Sequence, residues 1–330
     1  MQNNLLQLFP LEKREFWKMV SDAQEQLQEI RLRANRPIIV IREGKEFFLD
    51  KDGDFTENPE EACQVTEKEL EGFLNHICHY SPYAFEDEIR RGFITVAGGH
   101  RVGIAGQVVL ERESAVRTMK HISYVNIRIA HQIMGVADKI LPHLYEKGRI
   151  KNILIISPPE CGKTTLLRDI IRQVSDGNVY GPGISVGVVD ECSEIAGSYL
   201  GIPQNDVGIR TDVMDGCPKV LGMMLLLRSM APGVIAIDEL GGAEELEAVK
   251  QVSYCGSKIV ATLHGMGLQD YIKKTHGNRT MEGIFQCVLI LGKENGCPVV
   301  KKICGEEEIH AAFAGRYDDY GRLPGDGLVV

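Results

Sequence analysis

Five short apolar runs in the second half of the chain restrict its fold most: KNILIIS (151–157), ISVGVVD (184–190), VIAIDE (234–239), SKIVATLH (257–264) and FQCVLIL (285–291). A strand with one wet face alternates apolar and polar residues, whereas an uninterrupted apolar strand has to be covered on both faces. Helical segments lie between most of the runs, so residues 131–305 are expected to form a parallel sheet with helices on both sides.

Residues 1–130 carry a different pattern and are expected to form a smaller, mixed α+β domain. The stretch EIRLRANRPIIVIREGKEFFL (29–49) reads as strands separated by turns. TEKELEGFLNHICHYS opens with a capping box, Thr66 to Glu69, and continues with Leu70, Phe73, Leu74 and Ile77 at helical spacing. GFITVAGGHRVGIAGQVVL (92–110) predicts two strands around a turn at Gly98 and Gly99, and YVNIRIA places Val125, Ile127 and Ile129 on one face. The segment 306–330, with GRYDDYGRLPGDG, reads as a tail that is loose or extends a sheet edge.

With 330 residues, 44% of them hydrophobic, both domains can bury a core of their own. A formal net charge of −9 argues against a general nucleic-acid coat. Nine cysteines, none in a C-x-x-C pair, suggest a reducing compartment rather than a disulfide framework. The N-terminus lacks the pattern of a secretory signal, and nowhere do 18 apolar residues run together. The expected address is cytoplasmic, with peripheral membrane attachment left open and no direct span.

The run 151–157 leads into SPPECGKT, Ser157 to Thr164. In the pattern G-x-x-x-x-G-K-[ST], backbone N–H groups cradle phosphates, the lysine reaches the β and γ oxygens, and the hydroxyl binds Mg²⁺. Ser157 replaces the first glycine of that pattern. Pro158 and Pro159 stiffen the loop without removing the later donors, and Glu160, Cys161, Gly162, Lys163, Thr164 and Thr165 complete the candidate ATP site. The helix that follows turns its positive end toward the phosphates.

Nucleotide hydrolysis also needs acids at the end of a second buried strand. Asp238 and Glu239 follow one apolar run, and Asp190, Glu191 and Glu194 follow another. Thr262 and His264 end a third, at the sheet edge where ligands of open α/β sheets bind. Asp238 and Asp190 are expected to hold Mg²⁺ through water, together with Thr164. Glu239 is the first choice to polarise the attacking water, with Glu191 and Glu194 as rivals, and His264 is a candidate sensor.

The ordered segments EIRLRANRP, GFITVAGGHRVGIAGQ, NIRIAHQIMGVADKI, SPPECGKTTLLRDIIR, VVDECSEIAG, RTDVMDGCPK, MAPGVIAIDELGG and ATLHG resemble the stage III sporulation protein AA family. That family is a branch of the secretion-type ATPases that power type II and type IV secretion and pilus machines. The resemblance implies a RecA-like P-loop NTPase core behind an N-terminal domain, assembly into a hexameric ring, and membrane-embedded stage III sporulation channel proteins as partners. It further implies a place on the mother-cell side of the forespore membrane. Ser157–Thr164 then looks like the Walker A loop, 190–194 like the Asp box, Asp238 and Glu239 like the Walker B acids, and His264 like the His box. Ser157 departs from the pattern, and so does Cys192, where the family more often has arginine.

A ring ATPase can borrow arginines from a neighbour to hold transition-state charge. Candidates are Arg90, Arg91, Arg101, Arg128, Arg210 and Arg228. Arg101 and Arg210 lead because flanking glycines allow close approach. The basic cluster of Arg90, Arg91, His100 and Arg101 supports an alternative, a RecA-like nucleic-acid translocase. Net acidity, the lack of interleaved aromatics and the lack of an added module after 305 oppose it. A nucleotide-binding scaffold without turnover is the third reading, and the intact acids oppose that one.

Overall fold

The computed structural model describes residues 5–111, 116–275 and 281–315, and the chain divides after His131 into two compact units. The first unit also takes in Gly197–Asn205. Among the described residues no helix is long and apolar enough to cross a membrane.

The first unit is built on a seven-stranded antiparallel sheet. Its strands are β1 (Leu27–Arg33), β2 (Ile39–Arg42), β3 (Lys45–Leu49), β4 (Phe55–Thr56), β5 (Phe93–Thr95), β6 (Arg101–Leu110) and β7 (Val116–Arg128), in the order β4-β3-β2-β1-β7-β6-β5. Alternation works as the sequence suggests: Ile30 and Leu32 of β1 and Val125 and Ile127 of β7 are buried in one core. Helix α1 (Glu67–Ile77) covers that core with Leu70, Phe73 and Ile77, and its Thr66–Glu69 capping box is formed in both directions. Phe9 and Trp17 stack at 4.0 Å against the same core. Gly98 and Gly99, at φ 85 and 74, make the turn before β6, a conformation that side chains with a Cβ resist. Onto this turn fits the excursion 197–205: the Gly98 N–H donates to Gln204 Oε1 at 2.9 Å, and Tyr199 bonds His79 through its hydroxyl.

The second unit is the sheet that the apolar runs predict. Its strands are β8 (Ile153–Ser157), β9 (Val186–Asp190), β10 (Thr211–Asp215), β11 (Val234–Leu240), β12 (Lys258–His264), β13 (Cys287–Glu294) and β14 (Cys297–Gly305), in the order β10-β9-β11-β12-β8-β13-β14. Every neighbouring pair is parallel except β13 and β14, which form an antiparallel hairpin at one edge. Successive residues of a strand feed opposite cores. Ile153 and Ile155 join the core with helix α2 (Lys163–Asp176), while Leu154 and Ile156 join the core with α3 (Lys219–Ser229) and α4 (Ala243–Tyr254). That two-sided cover is why the runs carry no polar alternation.

Two strands of this sheet, β10 and β14, and a C-terminal helix lie outside those five runs. Thr211–Asp215 pairs with β9 as an edge strand and is only partly covered, with Val213 packed against one core and Met214 against the other. Glu306–Phe313, within the segment read as a loose tail, is an α-helix, α5, that buries Ile309 and Ala312. Most of the Gly-, Asp- and Tyr-rich stretch lies outside the described residues.

Candidate nucleotide site

Because β8, β9, β11 and β12 are parallel, their C-terminal ends share one edge of the sheet. Ser157 at the end of β8 is in register with His264 at the end of β12, and the Ser157 carbonyl accepts the Gly265 N–H at 3.1 Å. Ser157 therefore sits in ordinary strand conformation, fully buried, with its hydroxyl donating to the Pro158 carbonyl at 2.7 Å. Left-handed backbone comes later in the loop, at Glu160 (φ 56) and Gly162 (φ 74). A Cβ at Gly162 would also stand 3.2 Å from the Pro298 Cβ. The position that needs glycine is thus 162, and 157 does not. Lys293 reaches Glu160 at 3.6 Å from the β13–β14 hairpin, and Cys161 is buried.

Helix α2 begins at Lys163 with Gly162 as its cap, and first-turn amides of a helix lack intrahelical acceptors. From the same turn Thr164 Oγ1 donates to Asp238 Oδ2 at 2.7 Å, and Lys163 Nζ meets Glu239 Oε1 at 2.5 Å and Asp238 Oδ1 at 3.9 Å. Thr262 of β12 donates its hydroxyl to the other Asp238 oxygen. The register of β11 slips between Ile237 and Leu240, and Glu239 takes φ 54 there. The bulge turns its carboxylate outward, 64% exposed, while its N–H donates to Thr262 Oγ1 at 2.8 Å and Asp238 Oδ1 at 3.0 Å. The Lys163 hydrogen bond holds the Glu239 carboxyl below its ordinary range against partial burial, with further help from the charges of Lys163, Lys219 and His264.

Asp190 has a different place from the one expected. It is 2% exposed, and its two oxygens accept the amides of Glu194, Ile195 and Ala196 at 2.8, 3.1 and 2.8 Å. Those bonds turn it into a clamp on the 191–196 loop rather than a magnesium ligand. Burial pushes its carboxyl up to about 6 even though the amides pull it down. Arg168, one turn after Thr164 on α2, grips the same segment from the other side, donating to the carbonyls of Ile195 at 2.5 Å and Glu194 at 2.7 Å. Glu191 is half-exposed and pairs with Lys219 at 3.3 Å, and Cys192 is exposed.

Arg210, a leading candidate to hold the γ-phosphate, is engaged elsewhere. Its guanidinium donates to the Ser175 and Asp176 carbonyls at 2.9 and 3.3 Å, closing the C-terminal end of α2. The 14-residue helix puts that end about 20 Å from Lys163. Arg101, in the first unit, lies over the Phe93 ring at 3.6 Å, with Arg91 at 5.9 Å from the same ring. Phe93 is thus an aromatic member of the basic cluster that the sequence reading overlooked. His100 drops out of that cluster, because burial pushes its imidazole down to about 4 and it stays neutral. Arg90 pairs with Asp87 and Glu86 at 3.4 and 3.8 Å, Arg128 reaches Glu29 at 3.6 Å, and Arg228 is exposed on α3.

The donor set suits Mg·ATP. An ammonium and a helix N-terminus match phosphate. One hydroxyl and one carboxylate, Thr164 and Asp238, match a hard ion whose remaining ligands are water and phosphate oxygens. Two residues of this network, Arg168 and Lys219, escape a sequence reading. Arg168 could have been found from its spacing of four after Thr164, whereas Lys219 reaches the site only through tertiary packing.

The model of the family described as "Sporulation stage III, protein AA" matches residues 1–310. Stage III sporulation protein AA of Bacillus subtilis (strain 168) is 38% identical over 279 residues, covering 84% of this chain and 86% of that protein. The ATPase DotB of Legionella pneumophila has a similar structure, with a TM-score of 0.57 at 16% identity over 90% of this chain and 86% of that one. The pilus retraction motor PilT, solved with bound ADP, gives 0.57 at 15% identity over 89% and 85%. Likeness at this identity shows the fold: a RecA-like P-loop core preceded by a smaller α+β domain.

Proposed function

The chain belongs to the sporulation stage III protein AA family, and on that footing we propose that it is a secretion-type ATPase that hydrolyses Mg·ATP. The observation that carries this reading is the interlock of Lys163 and Thr164 with Glu239 and Asp238 at 2.5 and 2.7 Å, across more than 70 residues of sequence. When bound, Mg·ATP supplies the phosphoryl group and the ion that offsets its charge.

Lys163 and the first-turn amides of α2 grip the phosphates, while Thr164 and Asp238 hold the ion. Glu239, kept ionised by its cationic neighbours, orients and deprotonates water. Lys163 is shared, so an arriving phosphate competes with Glu239 for the same ammonium and frees the carboxylate. Glu191 is occupied by Lys219 and ranks behind Glu239. His264, in register with Ser157 at the same sheet edge, is the proposed sensor. We further propose a hexameric ring at the mother-cell face of the forespore membrane, acting on membrane-embedded stage III channel proteins. Arg101 is the proposed cation donated by a neighbour.

The test is steady-state ATP hydrolysis by the full chain over a wide range of protein concentration. Lys163→Ala should abolish nucleotide binding, and Glu239→Gln should bind nucleotide yet turn over about 10²- to 10⁴-fold more slowly. Specific activity that climbs with concentration supports a site completed between subunits. Normal turnover by Glu239→Gln would move the water-orienting role to another acid.

A further inference from the structure

Lys219 opens α3 directly after Pro218, and its ammonium ends where three acid-bearing segments meet. It donates to the main-chain carbonyl of Glu239 at 2.9 Å and lies 3.3 Å from Glu191 Oε2 and 3.6 Å from Glu245 Oε1. The side chain is only 15% exposed, and charges screened from water interact more strongly. Burial alone would pull the Lys219 ammonium down, but Glu245 and Glu191 outweigh it and hold it above the ordinary lysine range. Lys219 therefore stays charged wherever the site would work.

Glu239 needs outside support. A residue with a Cβ at φ 54 is sterically strained and persists only when its surroundings over-determine it. Its N–H is fixed by Asp238 and Thr262, its carboxylate by Lys163, and its carbonyl by Lys219. Of these, the carbonyl contact is made by a group with no evident business with nucleotide.

We propose that Lys219 is a positioning residue of the nucleotide site, locking the strained Glu239 backbone so that its carboxylate is aimed before nucleotide arrives. Lys219 also ties Glu191 and Glu245 to that point, so α3, α4 and the 191–196 loop hold Glu239 jointly. The inference rests on the reading of Glu239 as the acid that orients water. A plain ion pair between α3 and α4 would stabilise the fold without steering the chemistry, and the two roles separate kinetically.

The experiment compares ATP hydrolysis by the full chain with Lys219→Met and Lys219→Arg, alongside binding of the fluorescent nucleotide mant-ADP with Mg²⁺. Losing a charged hydrogen bond that shapes only the reacting geometry should lower kcat of Lys219→Met about 10- to 100-fold. KM and mant-ADP affinity should stay within about threefold, and Lys219→Arg should recover most of the loss. Unchanged kcat, or a loss confined to nucleotide affinity, would overturn the proposal. Should the wild-type chain not hydrolyse ATP, the activity reading fails and the positioning claim is decided by thermal unfolding. Glycine adopts φ 54 without strain, so Lys219→Met should lower Tm less in a Glu239→Gly background than in the wild type. Equal losses in both backgrounds would sink it.

Discussion

Replacing Ser157 by glycine would restore the usual phosphate-loop pattern, and the structure says it should make the protein worse. Ser157 is a strand residue in register with His264, fully buried, at a backbone conformation that any residue adopts. There is no strain for glycine to relieve. Glycine within a strand costs about 0.5–1 kcal/mol in chain entropy, and the lost hydroxyl bond to the Pro158 carbonyl adds about 0.5–1.5 kcal/mol. Taking the low half of the second range, because that bond is local, the sum is about 1–2 kcal/mol. In a unit of this size each kcal/mol moves the unfolding midpoint by about 2–4 °C, so Ser157→Gly should melt about 2–8 °C lower. Turnover should stay within about twofold, because Lys163, Thr164 and the glycine at 162 are untouched. Thermal unfolding and steady-state hydrolysis on the same preparation test both halves. A variant that melts no lower and turns over about tenfold faster would show that the serine strains the loop, and the assignment of the glycine requirement to 162 would fall.

That assignment has its own test: Gly162→Ala forces a Cβ to φ 74 and to 3.2 Å from Pro298, a cost of about 1–2 kcal/mol before any crowding. Mant-ADP affinity should fall about tenfold, and wild-type affinity would contradict it. The raised carboxyl of Asp190 gives a pH signature. Its folded value of about 6 lies above the ordinary 3.8, so its contribution is full below pH 3.8 and is lost as pH rises through 6. The shift of about two units corresponds to roughly 3 kcal/mol. Urea unfolding of wild type against Asp190→Asn should show the wild type losing ground between pH 4 and 6. A difference that is flat with pH would mean the carboxylate is ionised throughout.

Much of this was legible in the sequence because it depends on local chemistry. Uninterrupted apolar runs admit few alternatives to a strand covered on both faces, and SPPECGKT placed between one run and a helical pattern names its own geometry. The Thr66–Glu69 box is legible for the same reason. Positions whose role depends on which partners the folded backbone brings to them were not. Asp190 looks like a metal ligand until three amides five or so residues later claim its oxygens. Arg210 looks free beside Gly208 until the end of α2 arrives 35 residues earlier in the chain. Lys219 carries no local signal, since Glu191, Glu239 and Glu245 reach it from three different elements. The edge strand Thr211–Asp215 was not legible because TDVMD holds only two apolar residues, side by side, too few for an apolar run or for an alternation.

The excursion Gly197–Asn205 leaves the second unit directly after the amides that Asp190 holds and returns at Asp206, so the chain enters and leaves the first unit by more than one junction. Neither unit is therefore a portable module. A cut after His131 would strip the first unit of the strip that seats on Gly98 and Gly99, and would leave the second with a stranded loop bearing Tyr199, Leu200 and Ile202. A gene fusion or domain exchange at that boundary would divide the first unit's own chain.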